Sequence, residues 1–258
     1  MKRVITLLAV ALFGAATLFS FAGQALASDV DVTVGQASID MNLFYNGAAI
    51  PVTGQVPEGS QVVVRFTGKP DPNGVTMKQK GRAMGLLWMN MNTLHFSNMP
   101  PVSLIATSAP LSGLGAAGEK LGLAGITESI AIEPASADRK MLLPELLKLK
   151  KSEGLYREDE GAVTLEAPKD GRQAFRATIN VPSRLFPGDY SIEVFAVKDG
   201  QLAGQNVAPI TARLVGVPAF MANLAFNHGL WYGIFASVVA IIAGLLVGVI
   251  FRGKGGAH

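Results

Sequence analysis

The sequence predicts a mainly β protein, built as an antiparallel β-sandwich with a partly helical insertion and one C-terminal transmembrane helix. Three observations lead to this prediction. Short segments of alternating apolar and polar residues, separated by turn signals, fill the first and last thirds of the chain. A leucine repeat with helical spacing interrupts them, and an uncharged apolar run covers residues 230–251.

The N-terminus has the three-part layout of a secretory signal peptide. Two basic residues precede an uncharged apolar run over residues 4–21, and Ala25-Leu26-Ala27 then supplies the small residues of a cleavage site. We therefore predict a signal peptide over residues 1–27, with an uncleaved N-terminal anchor as the alternative. This prediction makes residues 28–217 an exported domain.

Strand-forming segments dominate the first third of the exported domain. Residues 30–34 and 38–44 alternate in polarity, and Asn46-Gly47 is a strong turn signal. The β-branched run at residues 61–67 predicts a further strand. The Pro- and Gly-containing residues 69–74 predict a loop after it.

The last third of the domain predicts an antiparallel arrangement. Residues 174–181 and 190–198 predict two strands, and Asp199-Gly200 predicts a hairpin turn before a return strand at residues 205–215. Gly188-Asp189-Tyr190, at the start of a late strand, resembles the tyrosine corner of immunoglobulin-like domains. We therefore expect an immunoglobulin-like β-sandwich.

A partly helical insertion is predicted over residues 103–160. Leu143, Leu146 and Leu147 lie on one face of an amphipathic helix that Gly154 ends. That face is expected either to pack on the sandwich or to meet a partner. The glycines of residues 113–118 match a nucleotide-binding pattern in spacing only, because residues 103–111 before them are predicted as a loop and not as a strand.

The apolar run at residues 230–251 predicts a membrane span, because a helix of that length reaches about 33 Å. Trp231 and Tyr232 at its start suit the headgroup region, and Arg252 and Lys254 follow its end. Positive charge beside a span favours the cytoplasm. We therefore predict a juxtamembrane segment at residues 218–229 and a cytoplasmic tail at residues 252–258.

A ridge of small residues runs along the predicted span. Ala236, Ala240, Gly244 and Gly248 recur every four residues, and the last two form a G-x-x-x-G motif. Such a ridge lets a second helix approach closely. It predicts a membrane-protein partner or a homo-oligomer, and the alternative is that small residues are simply common in spans.

Charge and composition exclude several classes of function. The chain has 22 Lys+Arg against 19 Asp+Glu and no Cys. Four of the basic residues flank the two apolar segments, which leaves 18 basic against 19 acidic residues and argues against nucleic-acid binding. Without Cys there is no disulfide, thiolate nucleophile or Cys-based metal site. No hydrolase motif is present, so no enzyme is predicted, and an unrecognised hydrolase is a background alternative.

Five of the nine Met residues lie within residues 77–99, together with His95. Met89 and Met91 are two residues apart, so they are expected to share one face of a strand. Thioether and imidazole groups without a carboxylate suit Cu(I). Met89, Met91 and His95 are therefore candidate copper ligands, and no other cofactor is predicted. Interleaved Leu, Trp and Phe residues favour the alternative, in which the Met residues fill an irregular core.

The order and spacing of several short segments resemble the Alph_Pro_TM family of uncharacterised transmembrane proteins of alphaproteobacterial type. The matching segments are Phe44-Tyr45-Asn46-Gly47-Ala48, Leu87-Trp88-Met89-Asn90, Gly154-Leu155-Tyr156, Phe186-Pro187-Gly188-Asp189-Tyr190 and Trp231-Tyr232-Gly233. The resemblance covers nearly the whole exported chain. It implies a periplasmic domain on one anchor in the bacterial inner membrane, and it supplies no catalytic residues.

These observations together favour a membrane-anchored periplasmic binding or scaffold protein. Its expected role is that of an accessory subunit of an inner-membrane complex or transporter. A periplasmic copper-binding protein is the alternative hypothesis.

Overall fold

The computed structural model describes residues 30–83, 87–134 and 138–252. In chain order its strands are β1 (Asp31–Val34), β2 (Ser38–Met41), β3 (Ala48–Pro57), β4 (Gln61–Gly68), β5 (Val75–Ala83), β6 (Leu87–Ser97), β7 (Ser103–Thr107), β8 (Ala131–Glu133), β9 (Tyr156–Asp159), β10 (Thr164–Leu165), β11 (Arg172–Val181), β12 (Gly188–Lys198) and β13 (Gln201–Leu214). Its helices are α1 (Gly115–Leu121), α2 (Leu123–Ser129), α3 (Arg139–Ser152), α4 (Val217–Asn227) and α5 (Gly229–Arg252), with a 3-10 turn at Leu111–Leu114 before α1.

The strands form three sheets. The first sheet has the order β1-β3-β11-β10, the second β2-β13-β12-β4-β7-β9 and the third β5-β6-β8. Pairing is antiparallel except that β2 runs parallel to β13 and β9 runs parallel to β7. The predicted mainly β fold with antiparallel sheets is therefore confirmed. An immunoglobulin-like order of strands stays a prediction.

The first two sheets face each other across one apolar core. The alternation of β11 buries Phe175, Ala177 and Ile179, which are each 2% exposed. From the other sheet, Ile192 and Val194 of β12 complete the same cluster of buried side chains. Two sheets that each bury one face in this way make the sandwich that period-2 alternation predicts.

The centre of the second sheet is buried on both faces. Every residue of β7 is buried, as are Val62, Val63 and Val64 of β4. Apolar residues of the helical layer, Leu123 and Ile126, belong to the same cluster. The prediction of a loop over residues 103–111 is therefore wrong in its first half. A strand covered on both faces is apolar throughout and lacks the alternation that marks a half-buried strand.

The leucine helix packs on the domain. Leu146 of α3 is buried, and Leu143 and Leu147 lie against the core cluster. Asp138 caps the helix, because its carboxylate accepts hydrogen bonds from the amides of Lys140 and Met141. Of the two roles expected for the leucine face, the structure shows packing on the domain.

One end of the sandwich, which we name the α4 end, is where β13 passes into α4. There Val215 donates its amide to the carbonyl of Met41, which places the loop of residues 42–47 beside the start of α4. Gly188 pairs with Ala212, so the loop of residues 182–187 lies at the same end. Two separate loops thus gather where the chain leaves the domain.

Two consecutive helices follow the sandwich. No residue of α4 is buried, and the chain turns at His228 before α5 begins. Over Gly229–Phe251, α5 has no buried residues, its most apolar 18-residue stretch has a mean hydropathy of 2.9, and it is long enough to cross a membrane. The predicted signal peptide, residues 1–27, and Lys254 lie outside the described residues.

Candidate functional site

The hairpin of β5 and β6 carries the Met and His residues that the sequence analysis selects. Its pairing is regular except at one point, where Gln79 pairs with Asn92 but Lys80 pairs with Asn90. Met91 is therefore an extra residue, a β-bulge, in β6. Because side chains alternate along a strand, one extra residue moves all the following side chains to the other face.

The bulge sets the apolar face of the hairpin. Val75 and Met77 face the core, and Gly81 follows them on the same face of β5. Met89 lies directly opposite Gly81, and a Cβ added to Gly81 would lie 2.6 Å from Cγ of Met91. Met89 and Met91 therefore cover the gap left by this glycine, as the prediction that they share a face requires.

His95 lies on the opposite face. It pairs with Thr76, whose hydroxyl lies 3.2 Å from His95 Nδ1, and its ring contacts Gly74. Along an extended strand, four residues separate it from Met91 by about 13 Å and six residues from Met89 by about 20 Å. The structure therefore brings Met89 and Met91 together but does not bring His95 to them. Copper binding itself is untested and stays a prediction.

The two faces of the hairpin differ in chemistry. Lys78, Lys80 and Arg82 alternate along β5 and are exposed on the face that carries His95. On the other face Leu87, Met89 and Met91 are 71%, 51% and 54% exposed. Met141 of α3, which is 53% exposed, lies across a 270 Å³ crevice lined by Gln79 and Asn92. We name these four apolar residues the hairpin patch.

A separate groove lies on the outer face of the second sheet. Its volume is 680 Å³, and it is lined by residues of β4, β12 and β13 and by Ile126 and Ser129 of α2. Arg65 donates to Glu193 at 2.6 Å, and its guanidinium lies 5.0 Å from the centre of the Phe195 ring. The two charges neutralise each other, so the groove offers no unpaired charge from this pair to a ligand.

Three tyrosines fix the loops at the α4 end and beside it. The hydroxyl of Tyr190 donates to the carbonyl of Phe186 at 2.7 Å, as in a tyrosine corner. Tyr156 donates to Pro100 at 2.7 Å, and Tyr45 donates to Pro182 at 3.3 Å. Burial raises the pKa of all three phenols above the ordinary value. They are therefore neutral hydrogen-bond donors at physiological pH.

The apolar helix carries the predicted interface and packing residues. Trp231 and Tyr232 lie in its first turn and are 63% and 39% exposed. Ala236, Ala240, Gly244 and Gly248 are all exposed, and a Cβ added to either glycine would meet no atom within 4 Å. The ridge is therefore open to a second helix. Arg252 is the last residue of α5.

A profile of the family described as "Putative transmembrane protein (Alph_Pro_TM)" matches residues 29–253. The chain belongs to this family. The match includes the sandwich, α4 and all of α5, so the membrane association of this Alph_Pro_TM protein has two supports, the family and the single apolar helix within the described residues.

Two solved structures that match this Alph_Pro_TM protein are only remotely similar to it. One structure, of murine CRIg, is 9% identical, with a TM-score of 0.26 over 72% of this chain and 98% of that chain. Another, of a family 123 glycoside hydrolase from Clostridium perfringens, is 8% identical, with a TM-score of 0.24 over 74% of this chain and 28% of that chain. Similarities this low carry no weight for fold or function. No curated protein matches the chain.

Proposed function

We propose that the protein is a membrane-anchored periplasmic scaffold, an accessory subunit of an inner-membrane complex or transporter. In this proposal α5 crosses the inner membrane, the β-sandwich lies in the periplasm and the C-terminus lies in the cytoplasm. The role of the β-sandwich is to bind a partner protein, and no catalytic group takes part.

The hairpin patch is the observation that carries this proposal. Leu87, Met89 and Met91 continue the core-facing side of the hairpin beyond the point where the domain covers it. Side chains more than half exposed on this two-stranded ribbon leave apolar area in water, and contiguous exposed apolar area marks interaction sites. Methionine suits such a surface because its flexible thioether adapts to a partner.

The basic face of the same hairpin adds selectivity. Lys78, Lys80 and Arg82 project from the side opposite the patch. A partner that grips the hairpin from both sides therefore needs an apolar surface for one side and acidic groups for the other. This requirement favours a folded protein over a small ligand.

Substitution of the patch tests the proposal. Met89→Glu with Met91→Glu places two charges on the apolar face, and each side chain is already half exposed, so stability should change by less than about 0.5 kcal/mol per site. Disrupting a binding hot spot costs about 2 kcal/mol or more of binding free energy, which weakens binding at least about 30-fold. The assay is co-purification of tagged protein from native membranes in mild detergent, with quantitative mass spectrometry.

Leu202→Glu is the matched control. Leu202 is 50% exposed and lies on the β12–β13 hairpin, away from the patch. We expect this variant to retain the partner that the double Met variant loses. Recovery of the unsubstituted protein as a lone monomer, or equal partner yields from all three proteins, would contradict the proposal.

The proposed orientation has its own test. A reporter that is active only in the periplasm, fused after Val217, should be active, because that fusion precedes the span. The same reporter fused after His258 should be inactive. The reverse pattern would overturn the periplasmic location.

The copper hypothesis now depends on the Met89 and Met91 pair. Met89→Leu with Met91→Leu keeps the apolar surface and removes both thioether ligands. If the pair binds copper, the purified protein takes up Cu(I) and the Leu variant does not. If the pair only contacts a partner, the Leu variant retains that partner and copper uptake is equal in both proteins.

A further inference from the structure

The loops at the α4 end carry large apolar side chains that the domain leaves exposed. Leu43 and Phe44, in the loop between β2 and β3, are 65% and 87% exposed. Phe186, in the loop between β11 and β12, is 69% exposed. The tips of these loops do not pack on the core of the domain, so core packing does not explain why they are apolar.

Strand register places both tips at the end of the sandwich where α4 begins. Met41 precedes the first loop and pairs with Leu214, the last residue of β13. Phe186 is two residues before Gly188, which pairs with Ala212. All these positions therefore lie at the end of the sandwich from which α4 departs.

The loop tips are held in place by specific hydrogen bonds. Asn42 accepts the amide of Phe44 with its side chain at 2.9 Å and the amide of Tyr45 with its carbonyl at 3.1 Å. The hydroxyl of Tyr190 holds the carbonyl of Phe186. The backbone of both loops is thus ordered before the tips meet any surface, which lowers the entropy lost on docking.

Helix α4 has the composition of a segment that lies in a lipid interface. Its 11 residues include no Asp, Glu, Lys or Arg, and none is buried in the domain. Phe220 and Phe226 are 57% and 87% exposed. An uncharged, largely apolar helix about 17 Å long with no buried residue is unfavourable in water but favourable at the headgroup and acyl boundary.

We propose that the α4 end of the domain docks on the bilayer that holds α5, with α4 lying along the interface and Leu43, Phe44 and Phe186 inserted among the headgroups. The bilayer is the surface that these tips meet, because the domain is joined closely to the span. Only two residues separate β13 from α4, and one separates α4 from α5. This docking does not depend on the proposed scaffold function or on which side of the membrane the domain occupies.

The charges beside the tips indicate how the surface binds. Lys69 lines the same cleft as Phe186, and so do Asp71 and Asp189. Arg184 lies two residues before Phe186, with one of its side-chain nitrogens 3.6 Å from Glu153. The charges beside the loop tips include both signs, so apolar insertion and not charge attraction holds the domain on the bilayer. High salt is therefore not expected to release the domain from the bilayer.

Single cysteines can report the depth of each tip, because the native chain has no Cys. Phe44→Cys, Phe186→Cys and Leu202→Cys are labelled with an environment-sensitive fluorophore in the full-length protein. Each protein is placed in nanodiscs of phosphatidylcholine alone and of phosphatidylethanolamine with phosphatidylglycerol. Leu202, exposed near the start of β13 at the opposite end of the strand, is the control.

Docking predicts a blue-shifted emission at positions 44 and 186, strong quenching by headgroup-proximal spin-labelled lipid and loss of quenching by aqueous iodide. At position 202 we expect no blue shift, no quenching by the spin-labelled lipid and full quenching by iodide. These results should hold at all three positions in both lipid mixtures and at high salt. Circular dichroism checks that each labelled protein is folded. Equal iodide quenching at all three positions in nanodiscs would overturn the proposal. Protection that appears in native membranes but not in pure lipid would also overturn it and assign the surface to a protein partner.

Discussion

Removing the hydroxyl of Tyr156 tests whether buried tyrosine hydrogen bonds hold the hairpin to the sandwich. Tyr156 is 1% exposed, and it donates to the carbonyl of Pro100 at 2.7 Å. Pro100 is itself buried, and its carbonyl belongs to the segment that joins β6 to β7. In Tyr156→Phe that carbonyl loses its partner where water cannot readily replace it.

The structure sets the size of this effect. A buried carbonyl left without a donor costs about 1–3 kcal/mol, so we expect a loss of about 2 kcal/mol. For a domain of this size, that loss lowers Tm by about 4–8 °C. Tyr190→Phe should cost about 1 kcal/mol, since the loop that carries Phe186 is open to water. Tyr45→Phe should cost least, because its hydrogen bond is 3.3 Å long.

The assay is thermal unfolding of the full-length protein in detergent, followed by circular dichroism of the β-sandwich. Tyr232→Phe is the control, because Tyr232 lies in the apolar helix and outside the domain. The expected order of destabilisation is Tyr156, then Tyr190, then Tyr45, with no change at Tyr232. Equal losses at Tyr45 and Tyr156 would refute the reasoning that bond length and burial set these energies.

Three further predictions concern single residues. Burial raises the pKa of the Tyr156 phenol, so the unfolded chain loses this proton before the folded chain does as pH rises above about 10. The free energy of unfolding should therefore fall by up to about 1.4 kcal/mol per pH unit in alkaline denaturation, and less steeply in Tyr156→Phe. Gly54→Ala places a Cβ in collision with the carbonyl oxygen of Asp31 and should cost about 2–3 kcal/mol in urea unfolding, whereas Gly113→Ala, with no neighbour within 4 Å, should not. Gly244→Ile should block close helix packing and reduce any dimer yield in membrane cross-linking.

Much of the sandwich follows from local sequence rules. Local patterns predicted strands at β11 and β12, and Asp199-Gly200 predicted the hairpin between β12 and β13, where both turn residues adopt positive φ. β7 was missed because a strand buried on both faces resembles any other short apolar segment. In the structure it pairs with β4 and β9 and shares its core cluster with the helical layer, and these are contacts with residues distant in the chain.

The hairpin of β5 and β6 shows that residue spacing alone does not always predict which face of a strand a side chain occupies. Sequence correctly grouped Met89 with Met91, because both lie over Gly81. It could not foresee that the bulge at Met91 puts His95 on the other face of the strand. A bulge depends on how a strand pairs with its neighbour, and the spacing of residues within one strand does not show this pairing. The groove around Arg65 and Glu193 was missed for a similar reason, since these residues are 128 positions apart.

The position at which the hairpin of β5 and β6 joins the sandwich has a mechanical consequence. It leaves the sandwich at the end of β4 and returns at the start of β7, which are interior strands with neighbours on both sides. A pull on Leu87 or Met89 therefore loads the centre of the sheet, where each strand is held by two ladders of hydrogen bonds. Edge strands such as β2 would peel away under less force. If the hairpin binds a partner protein as proposed, it is suited to transmit tension between that partner and the membrane without unravelling the domain.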